Sequence, residues 1–144
     1  MTGALATATA SCRLSNEAGR ALLSTRGQHF VVDSPPVLGG PNEAANPAEL
    51  LLSALASCAV FICERVAQEM GMALRSASAT VAADFDPRGL CGEPIDPRFQ
   101  AFRVRLDLQG PDAAQREALV QAFKTRCPVY TTLSRSASVD IALA

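Results

Sequence analysis

The sequence predicts an α+β fold, with helices on one face of a mainly antiparallel sheet. Three observations point there. Two segments alternate apolar and polar residues with a period of two, the signature of half-buried strands. One long apolar segment is preceded by a well-formed helix start. Strand and helix signals do not alternate one for one, as a parallel sheet with crossover helices requires. The order expected is three strands, a long helix, two strands, a second helix and a last strand. All of it fits one domain spanning residues 1–144.

Residues 4–14 carry Thr, Ala, Ser and Leu in loose alternation, a weak strand signal. Residues 20–24 and 28–32 read as two strands around a turn at Arg26-Gly27. Residues 33–41, rich in Pro and Gly, form a rigid loop. Asn46 is then a good helix N-cap, Pro47 suits the first helical position, and Glu49 has capping-box spacing. The helix should run to about Met70 and stop at Gly71. It is apolar on every face from Leu50 through Ile62, and such a helix must be covered all round. A small domain with 5% aromatic residues has little with which to do so, so a homodimer is expected.

Residues 74–85 alternate, with Ser76, Ser78 and Thr80 on one side and Ala77, Ala79 and Val81 on the other. Residues 86–97 form a loop containing Cys91. Residues 99–108 put Phe102, Val104, Leu106 and Leu108 on one face, and Arg103, Arg105 and Asp107 on the other. Gly110-Pro-Asp112 starts the second helix, whose apolar stripe is Leu119, Val120 and Phe123 and which ends before Pro128. Residues 139–143 should be the last strand.

Composition narrows the function. The net charge is −1, with neither a basic footprint for nucleic acid nor a basic run for a membrane surface. The first residues lack the charged start and continuous apolar stretch of a secretory signal. The apolar run from Leu50 to Cys63 has the length of a core helix rather than a membrane span. A cytoplasmic protein is expected. The five cysteines, at 12, 58, 63, 91 and 127, form no C-x-x-C unit, and His29 is the one histidine. That argues against a zinc site and against a disulfide framework, so no metal and no cofactor is expected. Gly39-Gly40 is not followed by Lys-Ser/Thr and is not a phosphate loop.

The cysteines are the candidates for covalent chemistry. Cys58 stands twelve residues past the N-cap, about 18 Å along the helix axis, beyond the reach of the helix dipole. An apolar helix raises a thiol pKa. Taken on these grounds alone, Cys58 fits an inert core thiol more readily than a reactive one. Cys127 fits either reading. Pro128 biases it toward an extended backbone and can open a short helix over 129–133, with Cys127 as the N-cap near backbone N–H groups. Lys124 and Arg126 add positive charge nearby. Cys63 lies about 140° around the helix from Cys58 and reads as core. Cys12 reads as a strand residue and Cys91 as a loop residue. His29 reads as a strand surface residue, and without a second His a Cys-His hydrolase is disfavoured. Asp84 and Asp86 suit a loop edge better than an acid–base pair.

Three motifs in this order, Asp33-x-Pro-Pro-x-x-Gly-Gly, Asn46-Pro-x-Glu-Leu-Leu-Leu-x-Ala-Leu-x-x-Cys58 and Cys127-Pro-Val, resemble the OsmC/Ohr family of thiol-dependent peroxidases. The resemblance covers residues 15–143. It implies mainly antiparallel sheets packed around a long central buried helix, in an intertwined homodimer with active sites at the subunit interface. It implies that Cys58 is the peroxidatic thiol toward an organic hydroperoxide and that Cys127 resolves the product as a disulfide. An external dithiol, in the best-studied branch a lipoyl protein, would reduce that disulfide. The peroxidase branches carry a Glu ten residues before the first Cys, where this chain has Ala48 and Glu49 is the neighbour. They also bring an Arg to the thiolate, for which Arg20 and Arg26 are the nearest candidates. The candidate site is therefore Cys58, Cys127, Arg20 and Glu49, in a divergent OsmC-like member. Two rival readings are a protein that binds a small apolar ligand and a redox sensor or thiol-transfer protein.

Overall fold

The computed structural model describes residues 3–143 and divides them into two units, residues 3–50 with 85–98 and residues 51–84 with 99–143.

The first unit is built on an antiparallel sheet of β1 (Ser11–Leu14), β2 (Arg20–Thr25) and β3 (Gln28–Asp33), in that order. Arg26 and Gly27 both have positive φ, 48° and 77°, which is the type I′ geometry of a two-residue hairpin. That connection fixes the register and sets Arg20 directly opposite Asp33. The first strand is shorter than the expected 4–14. Ser11 pairs with Ser24, and one residue later β2 turns away, so residues before Ser11 run past the end of their partner. Two short 3-10 turns, Pro36–Leu38 and Pro87–Cys91, complete the unit. Asp86 caps the second by accepting the Arg88 N–H at 3.0 Å, a loop-edge role.

The long helix α1 (Pro47–Glu69) begins in the first unit and lies mostly in the second. Its start is the expected capping box: the Asn46 N–H donates to Glu49 Oε2 (2.9 Å) and the Glu49 N–H donates to Asn46 Oδ1 (3.0 Å). Leu55, Ala59, Cys63, Val66 and Ala67 form its buried stripe. Phe61, off that stripe, is 65% exposed. By length and composition alone α1 would suffice to cross a membrane, but its stripe packs as a core helix does.

In the second unit β4 (Ser76–Asp84) pairs antiparallel with β5 (Ala101–Gln109). On the inward face Ala77 opposes Leu108, Ala79 opposes Leu106, Val81 opposes Val104 and Ala83 opposes Phe102. A small alanine thus meets a larger side chain at three of these rungs, and two valines meet at the fourth. On the other face Asp84 pairs with Arg103. Helix α2 (Ala113–Arg126) starts at Asp112, which exchanges hydrogen bonds with Gln115 in a second capping box. Helix α3 (Pro128–Arg135) follows at once. Two apolar clusters result, one around Cys63, Val66, Leu108 and Leu119, the other around Leu55, Ala59, Phe123 and Cys127.

The last strand expected at 139–143 does not form. Its apolar alternation is real, but Val139, Ile141 and Leu143 are 82%, 90% and 99% exposed. A strand needs a ladder partner for its N–H and C=O groups, and neither described sheet pairs with this segment.

Candidate functional site

Cys127 is the hinge between two helices. Pro128 has no N–H and its ring forbids continuation of α2, so the residue before it takes an extended backbone, φ −81° and ψ 115°. The Cys127 N–H still closes α2 by donating to the Phe123 carbonyl at 3.0 Å. Its own carbonyl accepts the Thr131 N–H (3.0 Å) and the Thr131 hydroxyl (2.9 Å). Its Sγ accepts the Tyr130 N–H at 3.3 Å. One residue therefore ends α2 and N-caps α3, as Pro128 in this position predicts. The side chain is fully buried.

Cys58, half-buried on α1, packs into the same cluster, with Val129, Tyr130 and Leu133 of α3 among its members. Cys58 thereby packs beside Cys127 in one apolar cluster. Burial in this apolar setting pushes the Cys58 thiol up to about 11, Cys127 adds to the rise, and the Val129 N–H opposes it. The Phe123 and Tyr130 rings, 5.2 Å apart, wall the cluster. Both cysteines are free thiols.

Arg20 has carboxylate partners of its own. Its Nε donates to Asp33 Oδ1 at 2.7 Å and its Nη2 to Asp33 Oδ2 at 3.0 Å. Nη1 reaches Glu17 at 2.6 Å and Nη2 reaches Glu43 at 2.8 Å. Asp33 is 1% exposed and accepts two further donors, the N–H groups of Glu43 and Ala44, both at 2.9 Å. The guanidinium holds the Asp33 carboxyl well below the usual carboxylate range, and the backbone donors reinforce it. This knot ties the loop after β3 to the sheet. Sequence reasoning missed Asp33 as a buried charge. The turn at Arg26-Gly27 was the available signal, since counting back from a two-residue turn sets Asp33 opposite Arg20.

Glu49 serves the α1 capping box, and Ala48 beside it offers no carboxylate. Arg26 occupies the hairpin turn and is exposed. Cys63 is buried, its thiol facing the Leu119 carbonyl at 4.0 Å, and burial raises its pKa. Cys12 and Cys91 are exposed. His29 shares a 2.8 Å hydrogen bond with Ser24 on the sheet surface. Of the four candidate site residues, then, Cys58 and Cys127 meet, while Arg20 and Glu49 are engaged in local pairings. Among the described residues no group of three or more His, Cys, Asp or Glu could hold a metal ion.

A protein-family model described as OsmC-like protein matches residues 40–142. Among solved structures, an OsmC-like protein from Mycoplasma pneumoniae superposes with a TM-score of 0.75 at 16% identity, over 91% of this chain and 89% of that one. An organic hydroperoxide resistance protein OsmC from Legionella pneumophila gives 0.68 at 23% identity, over 92% of each chain. An organic hydroperoxide resistance protein from Elizabethkingia anophelis gives 0.68 at 19%, over 94% of this chain and 92% of that one. These likenesses are of fold. A search of curated proteins found no match.

Proposed function

This chain belongs to the OsmC-like protein family, and from that premise we propose that it is a thiol-dependent peroxidase that reduces organic hydroperoxides through Cys58 and Cys127. The observation that carries the proposal is the packing of two thiols, which the sequence sets far apart, into one apolar cluster. The Cys58 thiolate attacks the terminal oxygen of the hydroperoxide. The O–O bond breaks, the alkoxide leaves and takes up a proton as the alcohol, and Cys58 becomes a sulfenic acid. Cys127 then attacks that sulfur, water leaves, and a Cys58–Cys127 disulfide closes. An external dithiol, such as a lipoyl group, returns two electrons and two protons and restores both thiols. The neighbours from Legionella pneumophila and Elizabethkingia anophelis, named for organic hydroperoxide resistance, lend support.

The apolar setting of the pair favours hydroperoxides with carbon substituents over hydrogen peroxide. The exposed Phe61 on α1 and the unpaired apolar segment 139–143 support a homodimer, in which a second copy covers both. Five free thiols suit a reducing compartment such as the cytoplasm.

A second reading, a slow redox sensor, is favoured by one observation. The Cys58 thiol is pushed up to about 11, so little of it is thiolate at neutral pH. The two readings part in one experiment, turnover of cumene hydroperoxide with a dithiol reductant. A peroxidase sustains many turnovers and loses them in Cys58→Ser. A chain that forms the disulfide readily with oxidised dithiols but scarcely turns over peroxide is a sensor.

A further inference from the structure

We propose that a groove along α2 and α3 in the second unit binds an amphipathic anion, a hydrocarbon chain ending in one negative group. The proposal goes beyond the peroxidase reading and requires neither thiol to react. The groove has two parts. The first is an apolar hollow of about 360 Å³, to which β5 contributes Phe102, Val104 and Leu106 and the helices contribute Val120, Phe123 and Tyr130. That volume lies at the lower end of the range for small-molecule sites, about 300–1,000 Å³. The second part, of about 400 Å³, adjoins the first, since Lys124 and Tyr130 line both. Here α2 presents Lys124 and α3 presents Arg135, and no carboxylate lines either part.

The charge at the rim is uncommitted. Among the described residues neither Lys124 nor Arg135 has a carboxylate partner. Arg126, two residues from Lys124, shows the contrast, since Glu69 holds it at 2.7 and 3.2 Å. The hydroxyls of Thr125, Thr131 and Ser134 also border the second part, but they donate to backbone carbonyls at 3.0, 2.9 and 2.8 Å. Lys124 and Arg135 are therefore the donors left for a ligand. A chain in the first part removes apolar surface from water, and a negative group at its end meets two cations that give up no partner to receive it. A neutral chain gains only the first of these, and a small anion without a chain gains only the second.

Tyr130 makes the test direct. It is the one tyrosine of a chain without tryptophan, so the intrinsic fluorescence of the protein reports on the groove itself. The full chain is titrated with sodium octanoate, sodium decanoate and 1-decanol, each well below the concentration at which it aggregates. Decanoate should change the Tyr130 emission saturably and bind about tenfold more tightly than octanoate, which is shorter by two CH₂ groups. Lys124→Gln combined with Arg135→Gln, both at exposed positions, should weaken decanoate about fivefold and leave 1-decanol unchanged. Arg116→Gln, an exposed cation on α2 outside the groove, should alter neither. No saturable response to decanoate, as expected if a second copy of the chain covers the groove, overturns the proposal. Undiminished decanoate binding in the double variant, or equal weakening by Arg116→Gln, overturns it as well. No peroxide enters the titration, so its failure would leave the peroxidase reading standing.

Discussion

Asp33 in the first unit and Cys127 in the second are both polar side chains with almost no exposure, and they meet burial in opposite ways. Asp33 receives four donors, two from the Arg20 guanidinium and two from the backbone, so it keeps its charge in the interior. Cys127 receives one backbone donor and otherwise sits among apolar groups, with Cys58 beside it as a neutral thiol. Burial of a charge is tolerated when donors surround it, whereas a thiol can be buried among apolar groups with few of them. The comparison teaches where each unit keeps its reactivity. Charge in the first unit fixes a loop; in the second unit Cys58 and Cys127 sit together in an apolar cluster.

The largest effect expected is on the thiol side. Cys58→Ser should lower hydroperoxide turnover by a thousandfold or more, a loss of about 4 kcal/mol in transition-state stabilisation. Cys127→Ser should keep the first, stoichiometric consumption of peroxide and accumulate a Cys58 sulfenic acid that dimedone traps. Equal loss in both variants, with no trapped product, would break the division of roles.

Asp33→Asn tests the other side. Leaving Arg20 with a neutral partner in a buried site should lower Tm by roughly 10 °C at pH 7. The pH dependence carries a definite sign. The folded Asp33 carboxyl is held below its unfolded value, so its contribution is complete above about pH 4 and drains away as pH falls through that value toward the folded one. Thermal melts from pH 7 to pH 2 should show this acid slope in the natural chain and a flatter one in Asp33→Asn. Parallel slopes would deny Asp33 its role.

Leu119→Ala sharpens the comparison within the second unit. Leu119 is fully buried in the cluster around Cys63, apart from the cluster of the thiol pair. Its loss should cost about 2–5 kcal/mol in denaturant unfolding, with the rate of disulfide closure little changed. The smallest effect is Asn46→Ala, which removes the α1 cap and should cost about 1 kcal/mol.

Much of this was legible in the sequence because it is local. The period-two alternation of 74–85 and 99–108 set Ala77, Ala79 and Val81 of β4 and Phe102, Val104, Leu106 and Leu108 of β5 on the inward face, where they are found. Asn46, Pro47 and Glu49 marked the start of α1, and Pro128 marked the junction that makes Cys127 an N-cap. What escaped depends on partners distant in sequence. Residues 139–143 alternate like a strand, yet alternation specifies a face and not a partner, and the described sheets provide none. The Asp112–Gln115 capping box had a readable spacing and was overlooked. That the sulfurs of Cys58 and Cys127 meet follows from packing α1 against the α2–α3 junction, and no local pattern encodes it. The motif resemblance named Cys58 and Cys127 together where residue chemistry left the matter open.

The most direct test is peptide-mapping mass spectrometry of the reduced protein after one equivalent of cumene hydroperoxide. A single Cys58–Cys127 disulfide, formed within the mixing time of a manual experiment and leaving Cys12, Cys63 and Cys91 as thiols, is the predicted result. Cys58 and Cys127 recovered unmodified, or oxidation confined to the exposed Cys12 and Cys91, would contradict a peroxidatic dithiol.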